Sequence, residues 1–188
     1  MTIALITDDI LIIDNLSIFG NTSAISDKIE VKNNRAVAYI GSVEHGSKVL
    51  ALYDDDNLVT HFMDEPFELS TVIIVENGIV GTLSTYPSEG GYRIKLIPWT
   101  SDSYTLFGDG WPYLQDTLLL RINGYLPNDE IAIDVFVRQW LKDERLRHVE
   151  ELAFTMINVT DMKIQPLSTG QFFQVALNLE QTKVKEIS

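Results

Sequence analysis

The strongest constraint on this chain is that its apolar runs come in pairs joined by turns of two or three residues, too short for the crossover that parallel strands need. Residues 2–6 and 10–14 flank Thr7-Asp8-Asp9, and residues 28–32 and 35–40 flank Asn33-Asn34. STVIIVENGIVGTLSTY repeats the pattern around Glu76-Asn77-Gly78, and ELAFTMINV with MKIQPL repeats it around Thr160-Asp161. The turn residues tolerate positive φ, so each pair predicts an antiparallel hairpin. YRIKLIPW and YTLFGD add two strands. DNLSIFGNTSAISD, rich in Asn, Ser and Gly, predicts an irregular connection between the first two hairpins.

Helical periodicity lies elsewhere. SVEHGSKVLALYDDD fits a short helix with Val43, Val49, Leu50 and Tyr53 near one face. WPYLQDTLLLRING has apolar residues at 111, 114, 118, 119 and 122 and stops on Gly124. PNDEIAIDVFVRQWLKDE opens with Pro127 and an acidic first turn, and its expected inner stripe is 131, 135, 136 and 140. TGQFFQVALNLEQTKVK predicts a C-terminal helix. Strands grouped as hairpins and helices grouped in pairs predict an α+β fold rather than alternating βαβ units, and 188 residues suit one domain over 1–188.

Charge and composition exclude several functions. Acids outnumber bases 27 to 14, giving a net charge of -13, and such a surface repels a phosphate backbone, so no nucleic-acid partner is expected. Cysteine is absent, which removes disulfides, thiolate catalysis and cysteine-based zinc sites. His45, His61 and His148 are far apart and share no ligand spacing, and the acids at 54–56 and 64–65 lack an EF-hand layout, so no metal is expected. No cofactor is expected either, because the Rossmann, Walker and GxSxG glycine patterns are missing. Gly108-Asp109-Gly110 reads as a helix-entry turn, since the acid between the glycines would repel phosphate. Trp99, Trp111 and Trp140 are expected in or near the core. No apolar run reaches about 18 residues and no signal-peptide layout opens the chain, so the expectation is a cytoplasmic protein without a membrane partner.

One constellation remains: Thr2, Asp14 at a strand end, Lys28 opening the second hairpin and Gly41 closing it. All four fit near one edge of a two-hairpin sheet. On spacing alone the acid and the lysine read as an exposed pair worth about 0–1 kcal/mol.

The run TIALITDDILIIDNLSIFGNTSAISDKIEVKNNRAVAYIGS resembles the opening of N-terminal-nucleophile hydrolases of the proteasome β-subunit type, including compact bacterial and phage-encoded relatives. LFGDGWPYLQDTLLL and PNDEIAIDVFV resemble two later helix starts of that family. The resemblance covers residues 2–42 and 104–141. It implies a four-layer αββα sandwich, two stacked antiparallel sheets between helix pairs. It implies Thr2 as nucleophile once Met1 is removed, Asp14 and Lys28 as its catalytic neighbours, and Gly41 as oxyanion donor through its N–H. Gly108, Asp109, Gly110 and Asp143 stand where the family has supporting residues. A peptide or amide substrate, a homo-oligomer, and an unfoldase or assembly partner are implied as well. Asp109 occupies a place where serine is usual, and Asp143 is followed by ERLRHVEE, without the family's serine and glycines. These departures motivate the alternative of a non-catalytic proteasome-like assembly or binding subunit, of phage origin, and an unrelated α+β virion protein is a third option.

The implied chemistry is physically sound. A threonine hydroxyl is a poor nucleophile at neutral pH, but an α-amine with a pKa of roughly 7.7–8.0 is a usable general base. Lys28 would lower that amine's proton affinity by like-charge repulsion, and Asp14 would keep Lys28 protonated and oriented.

Overall fold

The computed structural model describes residues 2–19, 22–25, 27–32, 34–41, 70–88, 91–99, 105–108, 110–140 and 153–187. Among these, one five-stranded antiparallel sheet has the order β10-β1-β2-β11-β12, formed by Thr105–Phe107, Ala4–Ile6, Ile10–Asp14, Ala153–Asn158 and Ile164–Ser168. A second has the order β5-β6-β7-β8-β9, formed by Ile29–Lys32, Arg35–Gly41, Ser70–Glu76, Ile79–Ser88 and Gly91–Pro98. Three helices are described as well, α1 (Trp111–Ile122), α2 (Asp129–Trp140) and α3 (Thr169–Ile187).

The period of two along β1 and β2 explains the layering. Ile3, Leu5 and Ile12 point to one side and join Leu114, Leu118, Phe136, Trp140 and Phe172 of the helices in one core. Ala4, Ile6, Leu11 and Ile13 point to the other and join Ala36, Ala38, Ile73 and Val75 of the second sheet in another. Both faces of these strands are covered, which is why they read as unbroken apolar runs rather than alternating ones. The α+β sandwich with two antiparallel sheets is therefore as expected, with three layers among the described residues. The helix expected around 43–53, which would belong to a fourth, lies outside them, as do all three histidines and the acids at 54–56 and 64–65.

Local chemistry sets the element ends. The Thr7 hydroxyl accepts from the N–H groups of Asp9 and Ile10, closing the first hairpin. Asn77 and Gly78 both have positive φ, as a two-residue hairpin turn requires. Helix α1 ends where Tyr125 N–H donates to the Leu120 carbonyl and Gly124 N–H to that of Arg121, with Gly124 at φ +80°. Helix α3 begins with a reciprocal cap: the Ser168 Oγ accepts from Gln171 N–H and the Gln171 Oε1 from Ser168 N–H.

Three expectations are revised. The segment read as irregular forms a ribbon of β3 (Leu16–Phe19) and β4 (Thr22–Ile25), with Phe19 opposite Thr22. Polar composition masked a Gly20-Asn21 two-residue hairpin signal there. The inner face of α2 is Ala132, Phe136 and Trp140: positions 136 and 140 are as expected, whereas Ile131 is exposed, Val135 is half-buried and Ala132 takes the inner place. The Asn128 side chain caps this helix by accepting from Ile131 N–H. Trp140 is core, but Trp111 at the start of α1 is partly exposed.

Candidate active site around Thr2

Thr2 lies just before β1, and the β1–β2 ladder brings the end of β2 beside it. Asp14 N–H donates to the Ile3 carbonyl at 3.1 Å, and Ile3 N–H donates to Asp14 Oδ1 at 2.9 Å. The other carboxylate oxygen, Oδ2, accepts from Leu16 N–H at 2.9 Å and from Lys28 Nζ at 3.0 Å. Lys28 sits just before β5, where the Tyr39 N–H donates to its carbonyl at 3.3 Å. From there Lys28 Nζ also donates to Thr2 Oγ1 at 3.0 Å.

All three residues are buried: Thr2 is 7% exposed, Lys28 4% and Asp14 0%. The exposed pair read from spacing alone is therefore a buried one. Burial pushes the Asp14 carboxyl above its ordinary value of 3.8, against the opposing pull of Lys28 and of the Ile3 and Leu16 N–H groups. An ammonium donates and cannot accept, so in the Lys28 contact the threonine hydroxyl is the acceptor. Its own proton must point away from Lys28.

The turn into α1 closes over Thr2. Gly110 N–H donates to the Thr2 carbonyl at 3.1 Å. Gly110 is also the residue that caps α1, so the turn is a helix entry, as the sequence suggested. Gly41 closes β6 opposite Ser70. Asp109 and Asp143 lie outside the described residues.

No protein-family model matches the sequence, and no curated protein matches it. Many solved structures are similar to it, and two of them serve as examples. One is BPH of Thiobacillus denitrificans in complex with epoxomicin, at 11% identity and a TM-score of 0.49, covering 85% of this chain and 99% of that one. The other is eukaryotic HslV from Trypanosoma brucei, at 12% identity and a TM-score of 0.46, covering 84% of this chain and 99% of that one. Both are proteasome-type subunits, the type that the opening of this sequence resembles. At these identities and scores the likeness carries nothing about chemistry, which rests on the contacts around Thr2.

Among the described residues no three His, Asp or Glu side chains gather in a way that could hold a metal, and no helix is long and apolar enough to cross a membrane. What the sequence could not mark are the backbone donors on Asp14. The N–H groups of Ile3 and Leu16 exist at every residue, and only the fold selects which two converge on the carboxylate.

Proposed function

We propose that this protein hydrolyses amide or peptide bonds, with Thr2 as nucleophile after removal of Met1. The supporting observation is the Lys28 ammonium, held by a fully buried carboxylate and placed 3.0 Å from the Thr2 hydroxyl oxygen. In this reading the α-amine of a mature Thr2 takes the hydroxyl proton, directly or through one water, as Oγ1 attacks the substrate carbonyl. Lys28 keeps that amine unprotonated through repulsion and stabilises charge developing on Oγ1. The Gly41 N–H would meet the oxyanion, a contact of a kind worth about 2.7–4 kcal/mol of barrier. The protonated amine then gives its proton to the leaving amine, and water hydrolyses the ester on Thr2 to regenerate the hydroxyl. The resemblance over residues 2–42 and 104–141 extends the reading to a cytoplasmic homo-oligomer of bacterial or phage origin, fed with peptide by an unfoldase or assembly partner.

The test is intact mass of the cell-derived protein combined with a threonine-directed epoxyketone probe. Loss of Met1 and labelling of Thr2, absent in Thr2→Ala, is the expected result. Retention of Met1, or a probe that never labels Thr2, overturns the enzyme and favours the assembly subunit that the ERLRHVEE run after Asp143 suggests.

A further inference from the structure

The register between β10 and β1 pairs Ala4 with Phe107, and its continuation would pair Ile3 with Gly108. Gly108 breaks it. Its φ of +92° is one that side-chain-bearing residues rarely adopt, and it folds the chain over Thr2. A Cβ on Gly108 would collide with the Thr2 carbonyl oxygen and come within 3.3 Å of the Thr2 Cβ. A Cβ on Gly110 would meet the Ile3 Cγ1 at 2.6 Å. The close approach lets Gly110 N–H reach the Thr2 carbonyl, while on the other side of the same peptide group Ile3 N–H is held by Asp14.

The Thr2–Ile3 peptide plane is thus gripped at both its oxygen and its hydrogen. Asp14 also holds Lys28, which holds Thr2 Oγ1, so the contacts form a closed circuit through the backbone and the side chain of one residue. With the peptide plane and the Thr2 Cα fixed, the hydroxyl can move only by rotation about the Cα–C and Cα–Cβ bonds of Thr2, and the Lys28 contact holds its end.

We infer that Gly108 and Gly110 are positioning residues: the turn into α1 is a backbone clamp that sets the Thr2 peptide plane and so aims its hydroxyl at Lys28. The inference rests on the reading of Thr2 as nucleophile for its catalytic consequence, but its geometric content stands apart from it. Sequence spacing alone assigns these glycines a helix-entry role, which any residue tolerant of a turn could fill. The collision with Thr2 is what demands glycine at 108.

The experiment compares Gly108→Ala with Gly78→Ala and Gly124→Ala in the full chain. Gly78 and Gly124 also have positive φ, +73° and +80°, yet an added Cβ at either meets nothing within 4 Å. All three variants therefore share the backbone strain, and only the first displaces Thr2. Two readouts are used: the rate of epoxyketone labelling at Thr2, and hydrogen exchange at the Ile3 and Gly110 amides. Gly108→Ala is expected to label about 100-fold more slowly, the cost of an ångström-scale misplacement, and to lose protection at both amides, while the two controls match the wild type. Labelling and protection unchanged in Gly108→Ala overturn the inference, as does an equal loss in the controls. A wild type that never labels overturns the catalytic reading, and the exchange data then decide the clamp by themselves. Should Gly108→Ala not fold, the wild-type protein still decides: Ile3 and Gly110 amides exchanging as fast as exposed turn amides would overturn the clamp, and protection matching that of β1 would support it.

Discussion

Replacing Lys28 by methionine is the most informative single perturbation, because the side chain stays unbranched and only slightly shorter while losing the ammonium, its charge and its hydrogen bonds to Thr2 and Asp14. The ion pair sits at 3.0 Å with both partners buried. At an effective dielectric of about 20 that separation corresponds to an attraction of about 5 kcal/mol. Part is returned, since the variant no longer buries an ammonium, and a net loss of about 3–5 kcal/mol is the usual result of stripping one partner from a buried pair. With a urea m-value of about 2 kcal/mol/M, the unfolding midpoint should fall by about 2 M at neutral pH.

The pH dependence carries the stronger test. The Asp14 carboxyl is already raised above 3.8 by burial, and without Lys28 its largest opposing influence is gone. Between 3.8 and its raised value the folded chain holds a proton that the unfolded chain has released, so its contribution to stability falls as pH rises through that window. The window is wider in Lys28→Met. The penalty should therefore be greatest at neutral pH and shrink as the pH is lowered through that window toward 3.8, because a carboxyl that has taken up its proton needs no partner. A midpoint shift that is flat with pH, or a loss below about 1 kcal/mol as in exposed pairs, would refute the assignment of a coupled buried pair.

Two further outcomes follow from other contacts. The labelling rate of wild type should fall tenfold per pH unit below the α-amine pKa, then steepen once Asp14 takes its proton at a pH above 3.8; a single slope down to 3.8 in a stopped-flow or quench series contradicts the role given to Asp14. Ser168→Ala removes one half of the reciprocal cap on α3 and should cost about 0.5–2 kcal/mol in urea unfolding, leaving the labelling rate unchanged.

Much of the fold was legible because its signals are local. Asn77-Gly78 and Thr7-Asp8-Asp9 fix their hairpins within a few residues, and α1 stops where Gly124 N–H donates to the carbonyl three positions back and Tyr125 N–H to the one five positions back. The β3–β4 ribbon was missed because its polar alternation resembles a loop, although Gly20-Asn21 was there to be read. The pairing of β2 with β11 had no signal at all: Ile12 lies opposite Met156, and nothing near either residue specifies the other. The site divides in the same way. Asp14 and Lys28 were visible as charged residues at strand ends, and their order after Thr2 suggested a common edge. Their burial was not visible, since it depends on the helices covering one side of β1 and β2 and the second sheet covering the other.

The circuit around Thr2 has a consequence for when reactivity appears during folding. Its links span 11 residues from Ile3 to Asp14 and 26 from Thr2 to Lys28. They also include the closure from Thr2 to Gly110, which joins one end of the chain to a helix entry past its midpoint. Each longer closure demands more chain entropy before any contact rewards it, so the clamp is completed late, after the hairpins have zipped. A chain still folding can hold most of its strands and have no aligned hydroxyl. On the proposed reading of Thr2, a partly folded chain would thus lack an aligned nucleophile by topology alone.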